Sequence, residues 1–348
     1  MATLVTGGAG YIGSHTVVAL HEAGRESVIV DDFSNASYRV IDSLRRLTRQ
    51  DLKVVEGDVG DEDLLVGVLN RHEVDSVMHF AARKSVSESL VDPIGYYRSN
   101  VAATITLAQA AIAAGVQRMV FSSSAVVYGS TSELPVTEDS PTVPESPYGM
   151  TKLTGERVVA DAAAASATTA VILRYFNPVG AHRSGLIGEA PYGQPDNLVP
   201  RILQVAAGER ARLEVNGIDY DTVDGSAVRD YVHVMDLALG HVAALDVDLA
   251  QLTAQRSRVY NLGSGAGTTV LQAIAAAAEV TGSEIPYAIT ERRSGDIAAS
   301  WADCSRARNE LGWQAQHDLR QMLADHWHFV LNSVGPAHST APVSCSLM

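Results

Sequence analysis

Through the first half of the chain, short apolar runs alternate with longer stretches of helical period. "TLVT", "SVIVDD", "KVVEGD", "SVMHFAA", "RMVFSSS" and "AVILRYF" are rich in Val, Ile, Leu, Met and Phe and predict strands. Between them the pattern predicts helices over 11–23 (closed by Gly24), around 62–71, from about Pro93 to Ala114, and from Tyr148 into the 160s. Strands parted by helices at this spacing imply βαβ units, so we expect an α/β fold: a doubly wound parallel sheet of Rossmann type with both faces covered. After Asn177 the texture changes. "NPVGAHRSGLIGEAPYGQPDN" reads as a long loop, which inside a compact domain is usually functional. "RLEV", "YVHV" and "VYNLGSG" give short strands, with a helix over 269–278, and predict a smaller α/β lobe. The expected division is a first domain over 1–176, to which segments within about 229–262 return ("RDYVHVMD", "VYNLGS"). A discontinuous second lobe covers 177–330, and 331–348 is an unstructured tail.

The chain has 348 residues, 46% hydrophobic and 19% charged, enough for a sizeable core in two lobes. The formal net charge of −14 makes nucleic acid or an anionic membrane surface a poor partner, and any anionic ligand must be met by local groups. Two cysteines, Cys304 and Cys345, are too few for a disulfide framework. "MATLV" carries no basic leader, and the most extended small-residue run, "ADAAAASATTAV", falls short of a membrane span. A soluble protein of a reducing compartment, the cytoplasm, is expected. The final "CSLM" superficially matches a prenylation signal. Without a polybasic stretch, and with Ser in its second position, it reads as accidental.

Two constellations carry chemistry. "LVTGGAGYIGSH" holds Gly8-x-Gly10-x-x-Gly13 after a strand and before a helix, where glycines let backbone N–H groups approach a pyrophosphate. Asp31 ends the next strand, where a carboxylate binds ribose hydroxyls; with Asp32 it would repel a 2′-phosphate, favouring NAD. Asp58 in "VEGDV" either edges the adenine or caps the helix that follows. The second constellation is "SPYGMTK". Tyr148 and Lys152, four apart, share a helix face, and an ammonium beside a cationic nicotinamide is expected to lower the phenol from its usual pKa of about 10. Ser124, at the carboxyl edge of the sheet in "FSSSAVVYG", is placed to bond the substrate oxygen and relay its proton. Together they read as a device that removes a proton from a secondary alcohol while NAD takes the hydride.

On these motifs, joined by "LRYFNPVGAH", "VRDYVHVMDLA", "YNLGSG" and "RRSGDIAASWAD", the chain over about 2–330 resembles the extended short-chain dehydrogenase/reductase superfamily, and within it the UDP-galactose 4-epimerase family. The resemblance implies tightly held NAD, Tyr148 as base at the C4 hydroxyl of a UDP-hexose, a 4-keto intermediate that turns over in the site, Lys152 on the nicotinamide ribose and Ser124 orienting the C4 oxygen. It places Gly7, Gly10, Tyr11, Ile12, Gly13, Asp31, Asn35, Asp58, Val59, Phe80, Ala81, Lys84, Asn100, Ser122 and Tyr175 around the cofactor. Around the sugar nucleotide it places Lys84, Asn177, Asn197, Leu198, Asn216, Arg229, Arg293, Asp296 and Ser300. No metal is implied. A homodimer is, with helices around 97–114 and 148–165 pairing as a bundle of four.

Three positions depart from the family's pattern. Asn216 stands where an aromatic residue beside the uracil is usual, and Asp196 where Asn is usual. Ser300 precedes Trp301 where glucose/galactose-restricted members tend to have Tyr, so the N-acetylhexosamine nucleotides are expected to enter too. The alternatives are a UDP-glucuronate or unusual UDP-sugar enzyme, with Arg83 as a cation for the carboxylate; a nucleotide-sugar 4,6-dehydratase; and a silent NAD-binding regulator. The dehydratase reading lacks its Asp-Glu pair, since Ala125 and Val126 occupy those positions.

Overall fold

Residues 2–130, 133–190, 192–193, 195–252, 255–293 and 296–333 are described by a computed structural model. Cys345 and the "CSLM" terminus lie outside the described residues. Seven strands form the central sheet: β1 (Ala2–Thr6), β2 (Glu26–Asp31), β3 (Lys53–Glu56), β4 (Val74–His79), β5 (Arg118–Ser124), β6 (Thr169–Tyr175) and β7 (Ser257–Leu262). Their order is β7-β6-β5-β4-β1-β2-β3, all parallel. The central strands read as unbroken apolar runs because both faces are covered. On one face Val5, Ile29 and Val120 pack with Val17 and Leu20 of helix Tyr11–Glu22 and Leu237 of helix Val234–Asp246. On the other, Leu4, Val77 and Phe121 pack with Leu65, Leu107 and Val159 from three further helices. The strand order reverses between β1 and β4, so a crevice opens at their carboxyl ends, where ligands of doubly wound sheets bind.

Local chemistry fixes the elements that matter here. Ser146 caps helix Pro147–Ala164, its Oγ accepting from Gly149 N at 3.1 Å, with Pro147 at the first helical position. This sets Tyr148 in the first turn. The expected helix from Pro93 is a single rod, Pro93–Tyr96 and Ala103–Ala113 joined through a π-helical turn, Tyr97–Ala102, that presents Asn100 inward.

The second lobe is built from small sheets. Leu213–Asn216 pairs with Tyr287–Thr290, Asn177–Val179 with Tyr231–His233, and Val228–Arg229 with both Thr268–Thr269 and Ala299–Ser300. Ile202, Leu213, Ile274 and Leu323 lie in its core. Residues 177–179, expected in the long loop, form a strand. Helix Leu319–Ser333 includes residues 331–333, expected in the tail, because its buried face (Met322, Leu323, His326) carries it onward against the lobe. Helix Tyr38–Thr48, capped by Ser37, was not singled out by the pattern. Among the described residues no helix is long and apolar enough to cross a membrane.

Candidate active site

The glycine loop is held at distances only glycine permits. Gly7 has φ +68°, and a Cβ there would lie 2.7 Å from Ala81 N; one on Gly13 would lie 2.2 Å from Gly7 O. Gly10 begins helix Tyr11–Glu22 with no side-chain cap, so the first-turn N–H groups of Tyr11 and Ile12 point to the crevice as an anion cradle. Asp31 is buried at the end of β2. Its Oδ2 accepts from Ala9 N and its Oδ1 from Phe33 N, both at 2.9 Å, so it braces the loop and keeps lone pairs for further donors. Burial raises its pKa, and those backbone bonds oppose the rise. Phe80 packs against His241 with ring centroids 4.6 Å apart, and Val59 is buried beside the crevice. Asn35 accepts from Tyr192 N at 3.4 Å. Asp58 is exposed and accepts from Gly60 N at 2.7 Å; the cap of helix Glu62–Arg71 is Asp61, which accepts from Leu64 N. A cradle that any Cβ would fill, with a carboxylate at the end of β2, fits a dinucleotide.

At the carboxyl end of β5, Ser124 lies beside the Tyr148 phenol, its Oγ accepting from Val126 N at 3.3 Å. Lys152 Nζ lies 6.0 Å from the Tyr148 ring centroid and donates to Ser122 O at 2.9 Å. Burial pushes Tyr148 up to about 12, with the Ser124 hydroxyl pulling the other way, and pushes Lys152 down to about 8 against the pull of Glu156. Desolvation sets the direction for the protein's own groups, since the ammonium is turned to a backbone carbonyl; the expected lowering also draws on the nicotinamide charge. Tyr175 Oη bonds Ser122 Oγ. The Asn100 amide is fully engaged: Oδ1 accepts from Arg83 N at 2.9 Å, and Nδ2 donates to Arg83 O and Thr151 Oγ1, both at 3.0 Å. It ties the segment after β4 to the catalytic helix.

A separate cleft gathers most of the residues expected around the sugar nucleotide: Asn177, Asn197, Leu198, Asn216, Arg229, Arg293 and Asp296, together with Asp196. Arg229 Nη2 donates to Asp296 at 3.0 Å and its Nη1 to two carbonyls, while Asn216 Oδ1 accepts from Thr290 Oγ1 at 3.1 Å. Ser300 does not line this cleft; it pairs with Arg229 from the adjoining short strand. Lys84 Nζ donates to Glu189 Oε1 at 2.8 Å.

Sequence reasoning missed four residues. Glu189, buried, binds both Lys84 and Asn197 (Nδ2 to Oε1, 2.7 Å), and no local pattern announces it. Tyr96 meets Tyr148 edge-on at 6.4 Å. Arg174 and Glu156 form a buried bidentate pair beneath the catalytic helix, with Nε and Nη2 donating at 2.9 and 2.6 Å. An arginine inside the apolar strand "AVILRYF" was the signal for it, since such a charge requires a partner. Arg83, offered for a uronate carboxylate, is paired with Glu88 and Asp92 at 2.7 Å each.

The comparisons with known proteins agree with this geometry. The family model described as GDP-mannose 4,6 dehydratase matches residues 4–326. The UDP-glucose 4-epimerase of Neisseria meningitidis serogroup C is 47% identical over 332 residues, 95% of this chain and 97% of the relative. The UDP-glucose-4-epimerase of Stenotrophomonas maltophila, solved with bound NAD and formylated UDP-arabinopyranose, superposes with a TM-score of 0.91 at 48% identity, covering 94% of this chain and 97% of that one. That of Bifidobacterium longum, solved with NAD+ and UDP, gives 0.90 at 45% identity, covering 94% and 98%. The chain belongs to the UDP-glucose 4-epimerase family, on the extended short-chain dehydrogenase/reductase fold.

Proposed function

We propose that this chain interconverts UDP-glucose and UDP-galactose by NAD-dependent epimerisation at C4 through a 4-keto sugar. The observation that carries the reading is Ser124 beside Tyr148, with Lys152 Nζ 6.0 Å from the Tyr148 ring, at the carboxyl edge of a sheet whose first loop fits a dinucleotide. NAD would be held by the 7–13 loop and Asp31 and, when bound, would supply reversible hydride acceptance and a positive charge. Tyr148 takes the C4 hydroxyl proton and returns it. Ser124 fixes the C4 oxygen against Tyr148. Lys152, anchored on Ser122 O, keeps its charge next to the phenol while binding the ribose. Arg229 and Arg293 meet the diphosphate, for which guanidinium geometry is suited. The keto sugar must present both ring faces to one fixed Tyr148, so it turns about its diphosphate linkage.

The second half-reaction of a 4,6-dehydratase requires an acid and a base after β5. Ala125 and Val126, in the short turn Ala125–Tyr128, supply neither. We read Ser300 as leaving room for a 2-acetamido group, so that the N-acetylhexosamine pair is also turned over. We read the exposed apolar stripe on the 93–113 rod as a dimer face. We read the low cysteine usage of the chain as work in a reducing compartment, the cytoplasm.

The test is to incubate the purified chain with UDP-galactose and follow UDP-glucose and NADH. UDP-glucose with no net NADH is expected, and Tyr148→Phe should lower kcat by about 10³-fold with the nucleotide still bound. A preparation that carries no pyridine nucleotide, or a Phe variant that turns over normally, overturns the reading.

A further inference from the structure

Glu189 stands where segments from both halves of the site meet. Its side chain is only 4% exposed. Oε1 accepts from Lys84 Nζ at 2.8 Å and from Asn197 Nδ2 at 2.7 Å, while Oε2 is buried with no hydrogen-bond partner among the described residues. Lys84 lies on the segment that leaves the carboxyl end of β4, and Gly7 of the glycine loop packs against Ala81 of the same segment. Tyr11, first residue of the helix after that loop, is near enough for the Glu189 charge to add to burial in raising its phenol. Asn197 lines the cleft that holds Arg229 and Arg293. One buried carboxylate thus joins a segment of the dinucleotide crevice to the sugar-nucleotide cleft.

Neither donor is where its residue type ordinarily goes. Asn197 is the N-cap of helix Leu198–Ala206, with φ −75° and ψ 149°, yet its side chain caps nothing. An asparagine there normally accepts from an N–H of the first turn; this one is turned to Glu189 instead. Pro200, third in the helix, has no N–H to be capped, so the N–H groups of Leu198 and Val199 stand without a side-chain cap on the wall of the cleft, where the positive end of the helix adds to Arg229 and Arg293. Lys84 is 50% exposed, but its ammonium is turned to the buried acid rather than to water. A buried carboxylate with one oxygen unpartnered lowers stability, and such exceptions persist where function requires a fixed geometry.

We propose that Glu189 is a positioning residue: by drawing Lys84 and Asn197 to one oxygen it keeps the start of helix Leu198–Ala206 open to the sugar nucleotide and couples that cleft to the cofactor crevice. Released from Glu189, Asn197 turns back to cap its own helix. The proposal rests on the epimerase reading above and deepens it, naming what joins the two halves of that site.

The experiment titrates UDP into the NAD-loaded wild type and its variants Glu189→Gln, Lys84→Met, Asn197→Ala and Lys84→Met/Asn197→Ala by calorimetry, and measures kcat and KM for UDP-galactose. Glutamine keeps an acceptor oxygen and removes the charge that strengthens both bonds. In Glu189→Gln the UDP Kd and the KM should each rise about tenfold, with kcat falling less, as for loss of a group that orients binding. The Lys84→Met/Asn197→Ala variant should depart from the product of its single effects on Kd by about fivefold, because both donors share one carboxylate, and the departure should vanish in the Glu189→Gln background. A merely structural role would lower kcat and the urea midpoint through loss of folded enzyme and leave KM and Kd as in the wild type. That result, or single effects that simply multiply, overturns the proposal. If the wild type binds UDP but does not interconvert the hexoses, the epimerase reading fails while the titrations still decide the role of Glu189; a wild type that does not bind UDP overturns both.

Discussion

Single residues here are settled by what surrounds them. Tyr148 is a phenol raised to about 12 by burial, so it becomes a base only when positive charge arrives beside it. Ser300 is half-buried on the two-residue strand Ala299–Ser300, in register with Arg229 and next to Trp301. If that small side chain is what admits a 2-acetamido group, Ser300→Tyr fills the space with a phenol. Turnover of the UDP-N-acetylglucosamine/UDP-N-acetylgalactosamine pair should then fall about 100-fold, with UDP-glucose/UDP-galactose turnover within about threefold of the wild type, because a blocked pocket discriminates by size. Steady-state rates on both pairs check this; an equal loss on both removes the gate. The acidic side chains show how environment assigns roles. Asp58 and Asp61 sit three apart in one turn, yet Asp61 is the helix cap while the Asp58 carboxylate accepts from Gly60 N.

At the scale of elements, helix Pro147–Ala164 carries the chemistry on one face and its anchorage on the same face a turn later. Tyr148, Lys152 and Glu156 are spaced by four, and Glu156 is clamped by Arg174 of β6 and by Ser123 of β5. The helix is thereby pinned to the sheet at the point that sets the height of the phenol above the crevice. The neighbouring 93–113 rod faces the other way. Ile105 and Ile112, spaced by seven, share a face of the rod and are 42% and 39% exposed, Ile94 before the π-helical turn is 70% exposed, and Met150 of the catalytic helix is 38% exposed. We read these exposed apolar side chains as an interaction surface. We expect the chain to sediment at twice its 36.9 kDa mass and Ile105→Glu to shift it to the monomer. Analytical ultracentrifugation decides, and a monomeric wild type ends the dimer reading.

For the whole molecule, the buried histidines set the response to acid. Burial lowers His15 and His79 to about 3, and His241 and His326 to about 4. Their folded-state pKa values lie below the unfolded value of about 6.5, so the unfolded chain binds more protons once pH drops below that. The stability they allow is full above pH 6.5 and is lost as pH falls toward 4, at up to about 5 kcal/mol per pH unit when all four contribute. Urea midpoints measured from pH 7.5 to 5 should fall steeply below pH 6.5, and a flat profile would contradict this. The sequence alone determined the alternation of strands and helices, the glycine loop with Asp31, and the Tyr148–Lys152 spacing. All of these are written in local periodicity, backbone sterics and residues a few positions apart. The tertiary structure decided what depends on contacts between distant segments: the fully engaged amide of Asn100, the pairing of Arg83 with its own acidic neighbours, Glu189 between Lys84 and Asn197, and Asp196 against Ser85. The direction of the Tyr148 pKa belongs with these, because desolvation is a property of everything packed around a group and no spacing along the chain encodes it.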